Sequence, residues 1–212
     1  MARFRRYNDH LEMLELAVIP GSVTRGRRKL LHETLPERLK RARAGAGSAS
    51  KPLSMKALSI SAGLADRTVW TIETEGRIPG IDTAERIARA LGVSPCHLAY
   101  GVEGAALAPL AEGEVLRSQS CGARLRALRE HAGLTRLALG TASSTSDTTV
   151  RNAEEGPGFP SVATAEALAV ALGCSPCWLA YAEGPSPIDD PAGAAVELQA
   201  VRFRPPRSPR KA

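Results

Sequence analysis

The side chains best suited to chemistry in this sequence are of two kinds. Cys174-Ser175-Pro176-Cys177 has the C-x-x-C spacing of a redox pair or of half a zinc site. No second ligand pair accompanies it, and the four histidines, at 10, 32, 97 and 131, show no ligand spacing. No Ser/His/Asp set and no paired carboxylates emerge, so neither an enzyme nor a bound metal, cofactor or small molecule is expected. The second kind is cationic. Lys and Arg number 28 against 22 acids, a formal net charge of +6. That balance suits a polyphosphate partner, although many basic proteins bind none. Aromatic residues are only 4% of the chain, so its cores must be aliphatic, and the many alanines in 3.6-period stretches favour helices over strands. With no run of eighteen apolar residues and no leader pattern after MARFRRYNDH, a cytoplasmic protein with no membrane partner and free thiols is expected.

The elements that must position these groups are written twice. TAERIARALGVSPCHLAYG, residues 83–101, returns as TAEALAVALGCSPCWLAYA, residues 164–182, at an offset of 81. Further upstream, PERLKRARAGAG matches GARLRALREHAG at an offset of 86, so the first copy carries five extra residues in the Gly, Ser and Pro stretch 44–52. The repeat also bears on the cysteines. The counterpart of Cys174 is Val93, so Cys174 fills an apolar slot, and the copies share a Ser-Pro pair that makes an N-cap and first-turn proline.

Each copy reads as five short helices. Helix one covers 36–43 or 123–131, with Leu39 or Leu125 and Leu128 inward. Ser54 or Thr135 caps helix two, which buries Leu58 or Leu139. A turn at Ala62-Gly63-Leu64 leads to helix three, about 66–73 or 147–154, with Val69 and Ile72 or Val150 and Ala153 inward. Helix four, 83–91 or 164–172, ends at Gly92 or Gly173, and helix five follows the Ser-Pro pair.

Arg38-Leu39-Lys40, Leu53-Ser54, Leu58, Ala62-Gly63-Leu64, Thr68-Val69, Ile72-Glu73, Gly76, Pro79 and Ala88-Leu91-Gly92-Val93 stand in an order that resembles the phage repressor and Cro family, also called the XRE-like helix-turn-helix family. Arg124-Leu125, Leu134-Thr135, Leu139, Thr149-Val150, Glu154, Gly156, Pro160, Ala169, Leu172 and Gly173 repeat it. The resemblance covers nearly all of both copies. It implies an all-α chain of two tandem five-helix repressor-like domains, at 34–104 and 119–184, with flexible basic termini. It also implies a double-stranded DNA partner, a regulator of transcription, and a third helix that reads base edges in the major groove.

With the apolar positions inward, the outward face of helix three holds Asp66, Arg67, Trp70 and Thr71 in the first copy, and Asp147, Thr148, Arg151 and Asn152 in the second. Under that resemblance, Arg67 and Arg151 suit guanine, Asn152 adenine, Asp66 cytosine, and Thr71 either a hydrogen bond or a thymine methyl. Lys56, Thr68, Arg77, Arg136 and Thr149 are then expected at phosphates. The two faces differ, so the half-sites should differ.

Several positions depart from the pattern. Met55 and Arg136 stand where the family has a Gln phosphate clamp, and Ser144-Thr145 replaces Gly63-Leu64 in the turn. Residues 34–104 carry ten cations and seven acids, against five and six in 119–184, so the first copy is the better electrostatic match to DNA. The second is expected either to bind weakly or to pair with another subunit, and a homodimer stays open. Trp178, at the place of His97, fits either a subunit contact or burial in the core.

An arm, 1–33, with a helix at about 8–17 and cations at Arg3, Arg5, Arg6, Arg25, Arg27, Arg28 and Lys29, is expected to reach phosphate or the minor groove. A Pro- and Arg-rich tail, 185–212, is expected to be disordered and to add salt-dependent affinity. The connection 105–118 either tethers two independent units or lets them pack as a rigid pair. A repressor is favoured over an activator, since occluding a promoter needs only binding. The alternative is a protein-interaction module, an antitoxin or adaptor on the same scaffold.

Overall fold

The computed structural model describes residues 30–47 and 52–195. The basic arm before Leu30 and the cationic tail after Ala195 lie outside the described residues, as does the helix expected at 8–17. The first copy opens with a 3-10 helix, Leu31–Thr34, followed by α1 (Leu35–Gly45), α2 (Met55–Ser61), α3 (Thr68–Glu75), α4 (Ile81–Leu91) and α5 (Pro95–Tyr100). The second repeats that order: a 3-10 helix, Arg117–Ser120, then α6 (Cys121–His131), α7 (Arg136–Ala142), α8 (Asp147–Glu155), α9 (Val162–Ala171) and α10 (Pro176–Tyr181). The fold is all-α. Among the described residues the only extended pairing is one antiparallel bridge, Gly80 to Ser161, and no helix is long and apolar enough to cross a membrane.

Local chemistry explains most boundaries. Ser54 and Thr135 accept from the amides of Ala57 and Ala138 and so start α2 and α7. Ser94 and Ser175 cap α5 and α10 ahead of a first-turn proline. Arg38 closes the other end of α5 by donating to the carbonyls of Leu98 and Ala99, and Arg124 treats Leu179 and Ala180 of α10 alike. Burial draws the Arg38 pKa down to about 10, which still leaves it charged at neutral pH.

Helix three differs between the copies. Ser146 caps α8 through the Thr149 amide, whereas Ala65 stands at its place in the first copy and has no side chain to do so. Accordingly α8 begins at Asp147, and α3 begins two residues later in register, at Thr68. There the buried Ser59 hydroxyl accepts from the Val69 amide instead. The expected turn also forms twice. Gly63 has φ +66° and Ser144 holds φ +54° at the same place, the left-handed region in which a serine is strained.

A single hydrophobic cluster runs through both copies, from Leu39, Leu58, Val69 and Ile72 to Leu125, Leu139, Val150 and Leu179. The copies pack against each other, and they do so reciprocally. Ile81 donates to the Pro160 carbonyl and Val162 to the Pro79 carbonyl, both at 3.0 Å. The Tyr100 hydroxyl donates to the Val162 carbonyl, and the Tyr181 hydroxyl to the Ile81 carbonyl. Their rings lie 6.4 Å apart.

Two buried carboxylates complete the exchange. Glu85 accepts from the amides of Arg117 and Ser118, both at 2.9 Å, in the 3-10 helix that precedes α6. Glu166 accepts from the amides of Leu31 and His32, and pairs with His32 Nδ1 at 2.7 Å, in the 3-10 helix that precedes α1. Each copy therefore clasps the segment that leads into the other.

The connection between copies is pinned. Leu107 and Leu116 are buried, and Arg89 bonds the Ala108 carbonyl and Glu114. Ordered structure also continues past residue 184, where the tail was expected to loosen. Ser186 accepts from the Asp190 amide, Asp190 accepts from the Ala194 amide, and Ala194 is buried. Trp178 is buried within the chain at 8% exposure, which favours the core role over a subunit contact. All four cysteines are buried and outside any disulfide, and among the described residues no group of three or more His, Cys, Asp or Glu is placed to hold a metal.

Candidate nucleic-acid interface

In each copy, helices two and three and the turn between them form a projecting ridge whose inner side is fixed by the core. Val69 and Ile72 are fully buried beneath α3, and Val150 and Ala153 lie beneath α8. The 3.6-residue period then carries the polar positions outward. Asp66 and Arg67 are exposed, but they sit in the turn ahead of α3 rather than inside it, with Arg67 at its N-cap. Trp70 and Thr71 are half-buried on its first turns. In the second copy Asp147, Thr148, Arg151 and Asn152 all lie on α8 itself and are exposed.

Their surroundings differ. The Arg67 guanidinium stacks over the Trp70 ring, 4.6 Å from its centroid, a contact worth about 0.5–1 kcal/mol at an exposed site. That stack explains why Trp70 is only half exposed, and it holds Arg67 over the start of α3. Lys56 and Asp66 approach to 3.7 Å with both side chains mostly in water, a weak pairing that leaves Lys56 available to an anion. Thr71 bonds back to the Thr68 carbonyl. Arg151 forms no ion pair with another described residue, so its donors face solvent. Thr149 shares a hydrogen bond with the capping Ser146, which ties it to the helix start.

Both ridges border a groove. In the first copy Arg67, Thr68, Thr71 and Arg77 line a cavity of about 380 Å³ between α3 and the segment 77–80. In the second, Thr149, Asn152, Gly156 and Phe159 line one of about 410 Å³ at the matching place. Arg77 is exposed at the rim of the first, held there by a bond from its amide to the Thr71 carbonyl.

The clamp position at the start of helix two differs between the copies. Met55 is half-buried and has no donor. Arg136 pairs with Glu154 and with Glu155, so any phosphate must compete with two carboxylates for its guanidinium. Glu154 also binds Arg129, as Glu73 binds Arg43 in the first copy. Burial works to raise the Glu154 pKa, but the hydrogen bonds and charges of the two arginines outweigh it and hold the carboxyl below its ordinary value. The hydrogen bond to Glu73 raises the Arg43 pKa in turn. These pairs lock helix one to helix three, a role that sequence reading had not assigned to Arg43, Glu73 or Arg129.

Glu85 and Glu166 were also missed. Their signal was present, since both copies keep a Glu two residues after the Thr that opens the TAE run, on a helix otherwise turned to the core.

Comparison with known proteins bears on the second copy. Residues 121–180 match the model of a family described as a helix-turn-helix domain. No curated protein and no solved structure gives a match. The matched span runs from the start of α6 into α10, so the second copy is similar over that span to a helix-turn-helix domain, a kind of domain that in general serves DNA-binding regulators.

Proposed function

We propose that the chain is a sequence-specific, double-stranded DNA-binding regulator of transcription, acting as a repressor, with α3 and α8 each entering a major groove. The observation that carries this reading is the polar face of α8, inside the matched span 121–180, on which Arg151 and Asn152 are exposed with their side chains turned from the core. Arg151 offers a bidentate contact to guanine and Asn152 one to adenine, while Arg67, steadied by Trp70, offers guanine contact from the first copy. Asp66 and Asp147 accept from cytosine, and Thr71 and Thr148 complete the faces. Lys56 and Arg77 hold phosphates by charge, Thr68 and Thr149 by their hydroxyls, and Arg136 does so at the expense of its pairs with Glu154 and Glu155.

A second reading, a protein-interaction module, draws support from Leu137. It is 66% exposed where the first copy has Lys56, and it gives the second copy an apolar spot beside its ridge. The two readings separate on salt. DNA binding through Lys56, Arg77 and Arg136 predicts that log affinity falls against log salt with a slope of about −3, at roughly 0.9 per neutralised phosphate. Replacing both Arg67 and Arg151 by Ala should weaken binding to a selected duplex by about 30-fold or more, each bidentate pair contributing about 1–3 kcal/mol. Affinity for DNA that ignores both salt and the double substitution would sink the regulator reading.

A further inference from the structure

We infer that one chain is by itself a complete two-headed DNA reader, built about an internal pseudo-twofold axis, and that its target is a duplex carrying two unlike half-sites in inverted orientation. The inference rests on the DNA-binding reading above and specifies the ligand. Its basis is the reciprocity of the contacts between the copies. Under the offset of 81, Ile81 corresponds to Val162, Pro79 to Pro160 and Tyr100 to Tyr181, so the four bonds that Ile81, Val162, Tyr100 and Tyr181 donate between the copies form two mirror pairs. Under the offset of 86 the 3-10 helices correspond as well, and Glu85 and Glu166 exchange them. Contacts in which residue i of one unit meets j of the other, and j meets i, are the mark of an isologous, twofold interface. A simple head-to-tail tandem has no such pairs.

The symmetry constrains the reading helices. The axis passes between Gly80 and Ser161, and α3 ends at Glu75, five residues before that bridge. Five residues reach at most about 17 Å, and half the length of α3 adds about 6 Å, so the helix centre lies within about 23 Å of the axis. Major grooves on one face of B-DNA recur every 34 Å or so, which asks for a distance of about 17 Å from a dyad. The two requirements are compatible. A twofold rotation also leaves the direction along its axis unchanged, so whatever part of the outward direction of α3 lies along the axis is shared by α8.

Two features make the target asymmetric and the complex monomeric. Of the four outward positions only the first is shared, as Asp66 and Asp147. The others pair Arg67 with Thr148, Trp70 with Arg151, and Thr71 with Asn152. The surface that joins the units is also already covered, since Ile81, Val162, Tyr100 and Tyr181 are buried to 1% or less inside one chain.

The test is selection of bound duplexes from random DNA by the full-length chain, followed by native mass spectrometry on the preferred duplex. The expected result is two different half-sites, inverted and about one helical turn apart, bound by one chain. Replacing either half by an inverted copy of the other should weaken binding about tenfold or more. Arg67→Ala should relax the preference in one half alone, and Arg151→Ala in the other. Two chains on a perfect palindrome, a direct repeat, or a lone half-site would overturn the inference while leaving DNA binding intact. Failure to enrich any sequence would remove the DNA-binding reading, and this inference with it.

Discussion

Replacing Glu85 by Ala tests how the two copies are held together. The Glu85 carboxylate is fully buried and accepts three hydrogen bonds, from the amides of Arg117 and Ser118 at 2.9 Å and from Arg89 Nε at 3.1 Å. Truncation leaves two amides of the 3-10 helix, that of Ser118 buried, without a partner. It also strips the buried Arg89 of one carboxylate, leaving the half-exposed Glu114. Each bond to a charged acceptor is worth about 1.5–3 kcal/mol, and breaking a buried ion pair costs about 3–5 kcal/mol. These terms describe the same group and do not add, so a loss of about 3–5 kcal/mol is expected. Against a total stability of about 5–15 kcal/mol for an ordinary domain, that is a large fraction. At about 2–4 °C per kcal/mol for a chain of this size, Tm should fall by roughly 6–20 °C. Urea unfolding of wild type, Glu85→Ala and Glu85→Gln measures it directly. The glutamine keeps one acceptor oxygen and should fall between the other two. Limited proteolysis should then cut first between 105 and 117, where the connection loses its anchor. A Glu85→Ala chain within about 1 kcal/mol of wild type would refute the clasp.

Two further outcomes follow from the second copy. Ser144→Gly should stabilise the chain by about 0.5–1 kcal/mol in urea titration, because relief of a left-handed serine outweighs the extra freedom of the unfolded glycine; a loss would mean that the serine hydroxyl matters more than its backbone. Glu154 makes stability depend on acid. Its folded pKa is depressed, so its contribution is fully present above the unfolded value of about 4.3 and is lost as pH falls through the lower folded value. Glu154→Gln should flatten that part of the pH–stability curve, and an unchanged curve would show that Arg129 and Arg136 do not favour the ionised form.

The comparison of sequence with structure is clearest at particular residues. Ser54, Thr135 and the Ser-Pro pairs act on backbone groups three residues away or fewer, so their roles as caps were legible from type and position alone. The inward stripe of each helix three was legible because period and burial coincide at Val69, Ile72, Val150 and Ala153. The ion pairs of Arg136 were not, because Glu154 and Glu155 lie 18 and 19 residues on and only folding brings them to its guanidinium. Trp178 fitted two environments until the fold buried it.

By itself the sequence determined the order of the five helices, its repetition along the chain, and the inward positions of each third helix, since these depend on periodicity, capping and the identity of near neighbours. The tertiary structure alone decided that the copies form one reciprocal pair rather than two tethered units. Glu166 meets Leu31 across 135 positions, and Tyr181 meets Ile81 across 100. Nothing local distinguishes a glutamate that will accept two distant amides from one that will face water; the difference is desolvation, and burial appears only when both copies are folded against each other.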